Sequence, residues 1–179
     1  MDPIFEGYHL THVLMDGGSS LNLIYEDTVR KMGIDSSRIK PSTTTFKGVI
    51  PGVKARCTGM VTLEVIFGSP ENLRSEELIF DVVSFRSGYH VLLGRTAFTR
   101  FNAVPHFAYL ELKMPGPNGV ITVNGNTERS LCAEEQTAAF AAEVQAFEEA
   151  AISDKRTISS SKQTRAAQID LGHILPHPE

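Results

Sequence analysis

One stretch limits the folds open to this chain more than any other: Val13-Leu14-Met15-Asp16-Gly17-Gly18-Ser19-Ser20. Three large apolar residues read as a buried strand, and the Gly-Gly pair ends that strand in a tight turn where the backbone approaches another chain closely. Asp16 therefore stands at the mouth of a core strand, where an unpaired carboxylate is costly. It needs hydrogen bonds from the turn amides, a second carboxyl sharing a proton, or a metal ion. The plainest arrangement that meets this need is an Asx-turn closing a hairpin.

The rest of the chain reads as strands. Phe5 to Met15 forms one or two short strands leading to Asp16, and Tyr25 to Met32 has the spacing of a short helix with Gly33 as its C-cap. Val61, Leu63, Val65 and Phe67 alternate with Thr62, Glu64 and Ile66, which predicts a strand with one face in the core. Leu78, Phe80 and Val82 repeat that pattern, and Tyr89 to Leu93 is a more wholly apolar strand. Ser42 to Phe46 is β-prone, and the glycines and proline of Lys47-Gly48-Val49-Ile50-Pro51-Gly52-Val53 make a hairpin tip. Phe107 to Leu112 and Gly119 to Val123, with Pro115-Gly116-Pro117-Asn118 between them, predict a closing hairpin. Such spacing with few helices points to an all-β fold, a small β-barrel or sandwich. From Cys132 the composition changes: Ala133 to Ile152 predicts a helix, and Ser153 to Glu179 has the Ser, Lys, Gln and Pro mix of a disordered linker. The expected organisation is one domain over 4–126 and a helical and disordered tail over 127–179.

Other chemistries find little support. With 41% hydrophobic residues, 179 residues suffice for one domain with a core and a tail. A net charge of -4 argues against a surface built to hold nucleic acid, so no direct nucleic-acid partner is expected. Cys57 and Cys132, far apart in sequence, suggest reduced thiols, with one disulfide as the alternative. No apolar run reaches membrane-spanning length and the polar start has no signal-peptide layout, so the expectation is a soluble intracellular protein with no membrane partner. His9 and His12 would face opposite sides of a strand, and His90 and His106 flank apolar segments without an acid or thiol at ligand spacing, so no metal and no cofactor is expected. The Gly-rich turn lacks the Gly-Lys-Ser/Thr of a phosphate-binding loop, and Asp170-Leu171-Gly172 has no apolar strand before it.

Asp16-Gly17-Gly18-Ser19 behind an apolar strand resembles the active-site loop of aspartic proteases. Val91-Leu92-Leu93-Gly94-Arg95, with Tyr89-His90 before it and Ala97-Phe98 after it, resembles the segment that passes behind that loop in the same family. The run from His12 to Asn124, including Phe101-Asn102-Ala103-Val104-Pro105 and Gly119-Val120-Ile121-Thr122-Val123, resembles the retropepsin-like domain of plant Ty3/gypsy-type retrotransposons. The resemblance implies a small closed barrel and a homodimer that cleaves an extended peptide or polyprotein in the cytoplasm or inside virus-like particles. It implies Asp16 as the catalytic carboxyl, Gly17, Gly18 and Ser19 as its loop, and Leu93, Gly94 and Arg95 as supporting residues. It further implies a substrate-covering flap at Phe46, Lys47, Gly48, Val49 and Ile50, extending to Val53. Arg95 would support the dimer contact; its alternative is a surface ion pair with Glu26 or Asp27. One departure stands out: the family carries Thr or Ser between the Asp and the Gly, where this chain has Gly17. That hydroxyl joins the two loops of the dimer, so its loss leaves a second reading, an inactive fold kept as a dimerisation or binding module.

Overall fold

The computed structural model describes residues 2–43, 45–47 and 54–146, of which 45–47 and 54–56 by backbone alone. The chain divides into two compact units, Met1–Phe140 and Ala141–Glu179. Of the second, residues 141–146 are described and are helical.

The first unit is mostly β. Its longest element is the hairpin of β6 (Lys54–Ser69) and β7 (Asn72–Val83), in which buried residues alternate with less buried ones over 61–67. Val61, Leu63, Val65 and Phe67 are at most 2% exposed, and Val61 and Leu63 pair with Phe80 and Leu78 across the ladder. Gly68 closes the hairpin at φ +107°, with the Asn72 carbonyl 2.1 Å from where a Cβ would stand, so only glycine fits there. Around this hairpin lie β1 (Ile4–Phe5), β2 (Tyr8–His9), β3 (Val13–Met15), β4 (Leu23–Tyr25), β5 (Thr45–Lys47) and β8 (Val91–Leu93). The sheet runs β2-β1-β6-β7-β4-β8-β3, with β5 added to β6. A second, three-stranded sheet is ordered β11 (Gly119–Asn124), β10 (Glu111–Gly116), β9 (Val104–His106).

The described strands form an open path with β2 and β3, two and three residues long, as edges with one partner each, and do not show the closure that the resemblance implies. The last hairpin begins at Glu111 rather than Phe107, since Leu110 takes φ +52° and 107–110 form a turn. The short helix α1 (Glu26–Lys31) is as expected, and Gly33 at φ +63° donates to the Arg30 carbonyl while Ile34 donates to that of Val29. That pair of bonds is a Schellman ending, and it turns the chain sharply back to the core. Helix α2 (Arg95–Phe101) comes directly after β8 and buries Ala97, Phe98 and Phe101.

The compact unit also extends past 126. Residues 127–140 are helical and form α3, and Asn126 caps them by accepting the Arg129 N–H at 2.9 Å. Ala133 is fully buried, with its carbonyl oxygen 2.2 Å from where a Cβ on Gly88 would stand. A glycine on one side and an alanine on the other let the helix lie directly on the backbone before β8.

Candidate active site

The loop carrying Asp16 is positioned by three short strands. β3 runs parallel to β8, with Leu14 opposite Leu92, and β4 runs antiparallel to β8, with Leu23 opposite Leu92. β8 therefore lies between the two strands that the loop joins, and the loop must arch over its end. The Asp16 N–H donates to the Leu93 carbonyl at 2.9 Å, and the Arg95 N–H donates to the Ser19 carbonyl at 2.9 Å. At the crossing, a Cβ on Gly94 would lie 2.3 Å from the Leu21 carbonyl oxygen. The Gly of the Leu-Gly-Arg step is thus required by a close backbone approach, not by a positive φ.

Within the arch, the Asp16 carboxylate accepts the Gly18 N–H at 2.8 Å. This is the local Asx geometry predicted from sequence, but it spans a strand end and does not close a hairpin. The Gly18 position is tight, since a Cβ there would meet Asp16 Oδ1 at 3.1 Å. Ser19 turns its hydroxyl inward: it donates to the Leu21 carbonyl at 2.9 Å and accepts the Leu21 N–H at 3.2 Å. Gly17 lies outside the positive-φ residues, and a Cβ on it would meet Phe107 at 3.4 Å and Phe98 at 3.9 Å. The backbone therefore admits a side chain at 17.

Sequence reasoning passed over Asn22, which is 5% exposed. Its side chain accepts the Gly94 N–H at 3.0 Å and donates to the Ile79 carbonyl at 3.1 Å, while its carbonyl accepts the Asp81 N–H at 2.9 Å. One amide thus ties the exit of the loop to β8 and β7. The signal in the sequence was a polar residue inside the apolar run Leu21 to Ile24, where a buried amide must be satisfied. Phe107, beside Gly17, was legible only as part of a strand.

The other predicted residues are distributed around this arch. Leu93 is 1% exposed and holds Asp16 through its carbonyl. Arg95 has an exposed side chain and, among the described residues, no ion pair with Glu26 or Asp27; Asp27 pairs with Arg30 instead. Phe46 and Lys47 lie in β5, opposite Ala55 and Lys54. Gly48, Val49 and Ile50, with the rest of the expected flap to Val53, lie outside the described residues. No cluster of three or more potential metal ligands occurs among the described residues, and none of their helices is long and apolar enough to cross a membrane.

His12 and His90 stand side by side at the starts of β3 and β8, ring centroids 5.1 Å apart and edge to face. His90 Nδ1 is buried without a hydrogen-bond partner among the described residues. Burial, and then the nearby His12 and Lys31, hold this imidazole below its ordinary pKa.

No family model and no curated protein matches this chain. Among solved structures, it is similar to the retroviral protease-like domain of Ddi1 from Leishmania major, at 14% identity and a TM-score of 0.49, over 70% of this chain and 93% of that one. At that distance the likeness bears on neither activity nor assembly.

Proposed function

We propose that the chain is an aspartic endopeptidase of the retropepsin type, acting as a homodimer whose two Asp16 carboxyls form the catalytic dyad. The observation that carries this reading is the arch: a carboxylate at a strand mouth, held by one loop amide and fixed over β8 by Leu93, Gly94 and Asn22. A carboxylate placed by these backbone hydrogen bonds, and supplied once in this geometry among the described residues, suits a reaction that needs two at one axis. Two such groups in contact cannot both ionise, so they share one proton. The ionised carboxyl takes a proton from the attacking water, while the protonated one donates to the scissile carbonyl and then helps the amine leave. The substrate is an extended peptide across the two-fold axis, and the finer assignment is a Ty3/gypsy-type polyprotein cut between its segments.

Gly17 favours a second reading, an inactive fold serving as a dimerisation or binding module, because a hydroxyl that would join the two loops is missing. A polyprotein or casein cleavage assay across acid and neutral pH, with and without pepstatin, separates the two. Pepstatin-sensitive cleavage lost in Asp16→Asn supports the enzyme; cleavage untouched by that substitution removes it.

A further inference from the structure

Successive residues of a strand face opposite sides, so Leu14 and Asp16 share one side of β3 while Val13 and Met15 turn to the main core. Cross-strand partners share a side as well, which places Leu14, Leu92 and Leu23 in one row across β3, β8 and β4. This row lies on the Asp16 side of the sheet. A peptide presented to that carboxylate in extended form would lie along it. In this structure Leu14, Leu23 and Phe85 are partly buried against a cluster of Tyr25, Val83, Tyr89 and the fully buried Ala133 of α3.

The contact is close, and an ion pair of Arg129 with Asp2 at 2.8 Å adds to it. It uses one narrow helix face, Ser130, Ala133 and Thr137, at the i, i+3 and i+7 spacing. Thr137 accepts the Gly88 N–H at 3.0 Å, Tyr89 donates to the Ser130 carbonyl at 3.5 Å, and Arg86 lies 4.1 Å over the Phe140 ring. Beside the free edge of β3, a cavity of about 300 Å³ opens between Leu14, Met15, Tyr89, Phe107 and Ser130. The covering element thus presents small side chains and leaves space, unlike a wall of the main core.

We propose that α3 is an intramolecular occupant of the peptide-binding face, so that the chain is autoinhibited and engages an extended apolar peptide only when 127–140 lifts away. This rests on the endopeptidase reading for its purpose, but its binding half does not need catalysis. Two substitutions in the full-length chain attack the contact from opposite sides. Ala133→Arg puts a cation where nothing is exposed, and Gly88→Ala sets a methyl against the Ala133 carbonyl without backbone strain, Gly88 not being a positive-φ residue. Loss of hydrogen-exchange protection in 127–140 reports release. Fluorescence anisotropy of a labelled, uncleavable extended apolar peptide should then show binding about tenfold tighter or better, roughly 1.4 kcal/mol. A synthetic 127–140 peptide should compete with it. Release of α3 with unchanged or weaker peptide binding overturns the proposal, as does failure of the synthetic peptide to compete. Tighter binding with no cleavage by any variant keeps this inference and removes the endopeptidase reading.

Discussion

At the scale of single residues, Asp16 could be read from sequence because its turn depends on near neighbours, whereas Gly94, which meets the Leu21 carbonyl at the crossing, was marked only by the family resemblance. A carboxylate before two glycines requires a turn amide, and the amide two residues on supplies it. Asn22 could not be read so, because its partners Ile79 and Gly94 lie 57 and 72 residues away. Asn22→Leu should leave the buried Gly94 N–H unpaired and remove one partner of the part-buried Ile79 carbonyl, at a cost of about 1–3 kcal/mol. Urea unfolding tests this; a midpoint within error of wild type would mean that the amide does not hold the arch. Gly17 gives a prediction of opposite sign. Because its φ is not positive and a Cβ would make ordinary contacts with Phe107 and Phe98, Gly17→Thr adds a hydroxyl without backbone strain. In the proposed dimer, two symmetric bonds of about 0.5–1.5 kcal/mol each should tighten association by roughly one to two powers of ten. Sedimentation equilibrium of the two proteins decides it, and a looser variant dimer would remove the proposed role of this position.

At the scale of elements, the alternation of β6 and β7 was legible because one face of each strand meets the core and the other meets water. The start of β10 was not, because Leu110 in the left-handed region breaks an otherwise strand-like run. Nor was the docking of α3: its Ala- and Glu-rich composition describes a helix but not the fit of Ala133 on Gly88. The parallel pairing of β3 and β8 brings a pH prediction with it. His90 is held below its ordinary pKa of about 6.5 by burial, His12 and Lys31, so the folded state disfavours its protonation. Its contribution to stability is therefore complete above that ordinary value and is lost as pH falls through the lower, folded one. Melting temperature should drop by a few degrees between about pH 7.5 and about pH 5, and less in His90→Leu. Equal drops in both proteins would place the acid sensitivity elsewhere.

At the scale of the molecule, strand count and composition indicated a mostly β unit, whereas the open ends of the sheet arise from edge strands too short to be resolved by pattern. The proposed function depends on one Asp16 per chain completing its partner's site. It is tested most directly by mixing: a fixed amount of wild type is titrated with Asp16→Asn while peptide cleavage is monitored. Heterodimers hold one ionisable carboxyl at the axis in place of two, so activity per wild-type chain should fall steeply and approach zero at large excess of the variant. Activity that stays constant per wild-type chain, at concentrations where light scattering shows mixed dimers, would contradict the shared dyad.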